Sequence, residues 1–162
     1  MIFVYIILSF LLDGLISNYL NFTISSISYF TTIYTIISFA VSYNYFSNKK
    51  KYLLVLLIMG LLFDIVYTNT FPLNVIVFIL IGMLVGYLDE SLPSNILTIN
   101  IKSYLSIILY HILSYLILLI SHYNSYDLYL LKEILLRSII MTIIYTTLSY
   151  FIIKKINPKK IK

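Results

Sequence analysis

The stretch 58-IMGLLFDIVYTNTFPLN-74 decides how this chain is read. An apolar run of helical character carries Asp64 within it, breaks at Thr68-Asn69-Thr70, and resumes after Pro72. Turn-forming residues between two apolar segments read as a tight connection, with Pro72 opening the next helix and Thr and Asn satisfying freed backbone groups. A helix–turn–helix with a carboxylate inside its first arm raises the question of its solvent.

The rest of the chain answers it. Of 162 residues, 61% are hydrophobic and only 10% charged, and the mean hydropathy is +1.00. Soluble domains carry about 25% charged residues, so lipid is the indicated solvent. There, one helical span takes about 20 mostly apolar residues. Six apolar segments follow one another, at about 2–20, 27–46, 52–67, 73–88, 103–121 and 130–153. Between the fourth and fifth, 89-DESLPSNILTINIK-102 reads as an interfacial loop. The second segment is rich in Ser, Thr and Tyr, which a span tolerates when it packs against neighbours. The first contains Asp13 and lacks a basic leader and a small-x-small cleavage site, so it reads as an uncleaved helix. The expectation is an all-α, polytopic membrane protein, one integral domain of six transmembrane helices.

The net charge of +5 comes from lysines gathered between apolar segments. That pattern marks cytoplasmic loops and argues against a nucleic-acid partner. With both termini inside, the inner loops and tail hold Lys49, Lys50, Lys51, Lys102, Lys154, Lys155, Lys159, Lys160 and Lys162, nine of the eleven basic residues. Attraction to anionic headgroups of the bilayer is a secondary role for such runs. The chain has no cysteine, and its two histidines, His111 and His122, lie in different segments. Disulfides and thiol chemistry are therefore excluded, and a histidine metal site is not expected. No nucleophile–base order, phosphate-cradling glycine loop or pair of carboxylates suggests an enzyme, and no cofactor is expected.

Ionisable residues within spans cost about 2.5–3.5 kcal/mol each on insertion scales and mark candidate sites. A rise of about 1.5 Å per residue puts Asp64 roughly 12 Å, Arg137 roughly 10 Å and Asp13 roughly 13 Å below the outer edge of the membrane core. The shared level predicts that Arg137 pairs with Asp64, with Asp13 alongside. Such a knot reads first as structural, with an ion or solute relay as the alternative. His111, about eight residues into the fifth segment, reads as a neutral hydrogen-bonding side chain in the cytoplasmic half. Glu133 and His122 read as outer-surface residues. In the fourth segment Gly82 and Gly86 form a GxxxG, a flat face for close helix packing, expected within the same molecule.

The stretch 60-GLLFDIVYTNTFPLNVIVFILIGMLVGYL-88 resembles the hallmark region of the MreD family of bacterial rod shape-determining membrane proteins. That family carries a glycine, an apolar gap, an aspartate with a nearby aromatic, a Thr/Ser-containing break and a glycine-bearing apolar helix. Here those roles fall to Gly60, Asp64, Tyr67, Thr68, Asn69, Thr70, Leu73, Asn74 and Gly82. Pro72 departs from the small residue expected before the leucine, and the last segment lacks the family's proline. The resemblance is sharp over about thirty residues and architectural elsewhere. It implies a non-enzymatic scaffold of the cell inner membrane. Such a scaffold binds an MreC-like bitopic protein, and through it an MreB-like filament and the cell-wall synthases of peptidoglycan synthesis. It also implies a bundle similar to the substrate-binding subunits of energy-coupling-factor transporters, which supply the rival function, a vitamin-transporter subunit. Those subunits dock through an Ala-x-x-x-Ala-like face on the first helix. No alanine occurs in the first segment here, and its Ser9, Gly14 and Ser17 form no repeat of four.

Overall fold

A computed structural model describes residues 2–20, 32–69, 71–93, 95–120 and 128–156. Among these residues every regular element is helical: α1 (Ile2–Leu20), α2 (Tyr34–Ser42), α3 (Lys49–Phe63), α4 (Leu73–Ser91), α5 (Ile96–Ile120) and α6 (Leu128–Ile156). A 3₁₀ turn, Tyr43–Tyr45, follows α2, and a π-helical turn, Asp64–Thr68, extends α3. Four helical stretches, Lys49–Thr68, Leu73–Ser91, Ile96–Ile117 and Leu131–Lys155, are long and apolar enough to cross a membrane, and Ile2–Ile16 is a shorter apolar helix. Thr70, His122, Lys159, Lys160, Lys162 and the start of the expected second span (27–31) lie outside the described residues.

The bundle is apolar on its outside. Large side chains such as Ile65, Tyr87, Leu97 and Ile140 are exposed, while Ser38, Asp64, Asn74, Ser106, Ser138 and Thr142 are fully buried. This distribution suits lipid around the bundle, where hydroxyls and small residues hold helices together by hydrogen bonds and close approach.

At the centre lies α2. All nine of its residues are buried, and it contacts α1, α4, α5 and α6. At about 1.5 Å per residue it is roughly 13 Å long, about half a membrane core. The span expected over 27–46 is thus, among the described residues, a half-length helix ending in a 3₁₀ turn. Its start is fixed where Ile33 takes an extended conformation.

Helix α3 begins at Asn48, whose side chain accepts from the Lys50 N–H at 2.9 Å, the usual N-cap bond. The expected loop 89–102 is corrected. Helix α4 continues through Ser91, and α5 already begins at Ile96. The reason is local. Asn95 Oδ1 accepts from the Thr98 N–H at 2.8 Å while Thr98 Oγ1 accepts from the Asn95 N–H at 3.1 Å, a reciprocal cap that starts a helix there. Lys102, expected in that loop, is consequently a buried helical residue bonded to Asp89 of α4 at 2.5 Å. The earlier start also moves His111. It lies roughly 22 Å along α5, past its middle, and is buried beside Tyr110.

Candidate functional site: two carboxylates on buried helix N-termini

The hairpin of α3 and α4 is the most extensive helix pair in the bundle, and Gly60 allows it. A Cβ there would sit 2.6 Å from the Val75 Cα and 3.0 Å from the Asn74 carbonyl oxygen. The two backbones touch at this point, so the chain can turn sharply and still bring the start of α4 against the end of α3. The π turn then rotates Asp64 inward, and Asn69, at φ 50°, closes the helix in the left-handed region that Asn tolerates.

Asp64 is fully buried. Its Oδ1 accepts from the Asn74 N–H at 3.0 Å and from Asn74 Nδ2 at 2.9 Å, and its Oδ2 accepts from the Val75 N–H at 3.3 Å. Asn74 and Val75 stand in the first turn of α4, whose own N-cap, Pro72, supplies no side-chain bond. A carboxylate from the preceding helix therefore satisfies the orphan donors of a buried helix end and meets the positive pole of its dipole. Asn74 extends the network. Its Nδ2 also donates to Thr68 Oγ1 at 2.9 Å, and its Oδ1 accepts from Tyr110 of α5 at 3.1 Å.

Asp13 repeats the device on α1. Its Oδ1 accepts from the Tyr34 N–H at 2.7 Å, and its Oδ2 accepts from the Thr35 N–H at 2.9 Å and the Thr35 hydroxyl at 2.5 Å. Those are the first residues of α2, whose N-cap Ile33 has no side-chain acceptor to offer. Tyr67 joins the two caps. Its hydroxyl donates to the Phe10 carbonyl at 2.7 Å, and it packs so closely on Gly14 that a Cβ there would lie 2.5 Å from its oxygen.

Arg137 stands elsewhere. Its ion pair among the described residues is with Glu133, one turn earlier on α6, at 3.6 Å, with both side chains partly exposed. The expected knot of Asp64, Arg137 and Asp13 is corrected accordingly. Each aspartate is held by neutral donors of the helix that follows it, and Glu133, expected merely at the surface, is the arginine's partner. Depth arithmetic gives a residue's level but not the direction it faces around its helix. The signal for the observed pair was present in the sequence, since an acid four residues before a cation shares its face. Tyr110 and Lys102 were also missed. Tyr110 sits in an apolar run without a spacing that marks it, and Lys102 was hidden by the late start expected for α5.

Gly82 and Gly86 face inward along the hairpin. A Cβ at Gly82 would lie 2.4 Å from Leu56 Cδ2 of α3, and one at Gly86 would lie 3.2 Å from the Tyr43 hydroxyl. At the same end, Lys49 pairs with Glu90 on the surface and Lys102 with Asp89 inside. No group of three or more potential metal ligands occurs among the described residues.

The chemistry open to this arrangement is the binding of helix ends, where side-chain acceptors meet backbone donors. Set beside known proteins, the chain matches no family model, no curated protein and no solved structure.

Proposed function

We propose that the chain is a non-enzymatic membrane scaffold of the MreD kind. It sits in the inner membrane with both termini in the cytoplasm and binds an MreC-like bitopic protein. Through that protein it reaches the filament and synthases that shape the wall. One observation carries the reading: the residues on which the resemblance rests, Gly60, Asp64, Thr68 and Asn74, act together as one hairpin with an internal cap. A motif whose members lock a shape suits a part that presents surfaces to other proteins.

A second reading, the substrate-binding subunit of a vitamin transporter, is favoured by a different observation. Ser103 and Thr146 are fully buried and their hydroxyls lack a hydrogen-bond partner among the described residues, as expected of groups that await a polar solute. Co-expression of the tagged chain with an MreC-like protein and with a transport ATPase module separates the two. Co-purification of the bitopic protein is the expected result. Capture of the ATPase module, or of a bound vitamin, overturns the scaffold reading in favour of the second.

A further inference from the structure

Between α1 and α3 runs a groove of about 380 Å³, within the range of about 300–1,000 Å³ typical of small-molecule sites. Its walls include Phe3 and Ile7 of α1 and Leu54, Ile58 and Leu62 of α3, and every lining residue is apolar except Lys51 at one end. Lys51 lies in the first turn of α3, where the helix leaves the polar turn 46–48. From Lys51 to Leu62 is eleven residues, roughly 16 Å of helix, and half of a membrane core about 30 Å thick is about 15 Å. The groove is therefore one leaflet deep, with a cation at headgroup level and an apolar floor reaching the bilayer centre.

We propose that this groove is a binding site for one anionic phospholipid, its phosphate on Lys51 and an acyl chain between α1 and α3. Length argues for a lipid over a partner's transmembrane helix, which would need a seat along the whole core. Charge argues for an anionic one. The two other lysines of this end with acidic partners are already engaged, Lys49 by Glu90 and Lys102 by Asp89, whereas among the described residues the groove lining holds no acid to neutralise Lys51. Basic residues at the mouths of clefts between membrane helices recognise lipid phosphates in this way. The site is independent of the scaffold reading and holds whichever protein the bundle serves.

The test uses the full chain in nanodiscs of equal phosphatidylglycerol and phosphatidylcholine, with lipids retained after release counted by native mass spectrometry. One phosphatidylglycerol is expected to stay bound. Lys51→Gln should weaken its retention about fivefold, the equivalent of roughly 1 kcal/mol per basic residue at the membrane surface. Lys50→Gln, one residue away but outside the lining, should leave it unchanged. Ile58→Trp keeps every lysine but fills the groove from an exposed position, so it should abolish retention without disturbing the fold. Equal loss in Lys50→Gln and Lys51→Gln, equal retention of phosphatidylcholine, or full retention in Ile58→Trp would each overturn the site.

Discussion

Asp64 shows how one residue can be costly and still stabilising. An isolated carboxylate in lipid costs several kilocalories, but here it accepts from two backbone N–H groups that would otherwise be orphaned. Asp64→Ala removes the acceptor and leaves those donors buried, at about 1–3 kcal/mol for each unsatisfied group. Asp64→Asn keeps one acceptor and should lose clearly less. Thermal unfolding of the purified variants in one detergent checks the order, and equal losses for Ala and Asn would refute the capping role. Lys102 is a second such case, with 1% of its side chain exposed. Asp89→Ala should cost about 3–5 kcal/mol by stranding that ammonium, whereas Asp89→Leu combined with Lys102→Met should recover most of the loss. The exposed pair of Lys49 with Glu90 has little such leverage.

For the elements, the glycines of the α3–α4 hairpin rank themselves by what a methyl group would meet. At Gly60 it meets rigid backbone at 2.6 Å, at Gly82 the end of a leucine side chain, and at Gly86 a tyrosine hydroxyl at 3.2 Å. Substitution by alanine should therefore be worst at Gly60, beyond the usual 1–3 kcal/mol of overpacking, intermediate at Gly82 and mildest at Gly86. Denaturation midpoints of the three variants test that ranking, and a Gly60→Ala variant as stable as Gly86→Ala would contradict the described crossing. This hairpin was also the most legible element, because a turn signal between two apolar runs has one simple meaning. The buried α2 was less legible. Hydropathy measures how apolar a segment is, whereas its boundary is set by Asp13 from another helix. The start of α5 was missed for the opposite reason. Its signal, 95-NILT-98, is local and polar, and it lies within a stretch whose proline and acids read as loop.

Across the whole molecule, composition alone pointed to helices in lipid, and exposed apolar side chains around a hydroxyl-rich interior agree with it. Less visible was which charges meet, since that depends on the rotation of each helix about its axis. The chain's freedom from cysteine makes its topology directly measurable. Single cysteines at Lys50, Phe71 and Leu92, all at hairpin ends, should react with an impermeant maleimide from one side at 50 and 92 and from the other at 71. Labelling of all three from one side would rule out a transmembrane hairpin.

The two carboxylate caps also bear on how the protein is made. Asp64 finds its donors ten and eleven residues later in the chain, and Asp13 finds its own twenty-one and twenty-two residues later. During synthesis each aspartate therefore emerges before the groups that neutralise its cost. A nascent chain in which a polar linker long enough to fill the ribosomal tunnel follows Thr68 offers the translocon an uncapped acid, at about 2.5–3.5 kcal/mol, whereas one in which the same linker follows Ser91 offers it already capped. Chains stalled at the end of that linker should differ in the fraction of α3 integrated into microsomes or inverted vesicles, with the one that includes α4 favoured. The unit that partitions from ribosome to bilayer is then a pair of helices, and its first member waits for its second.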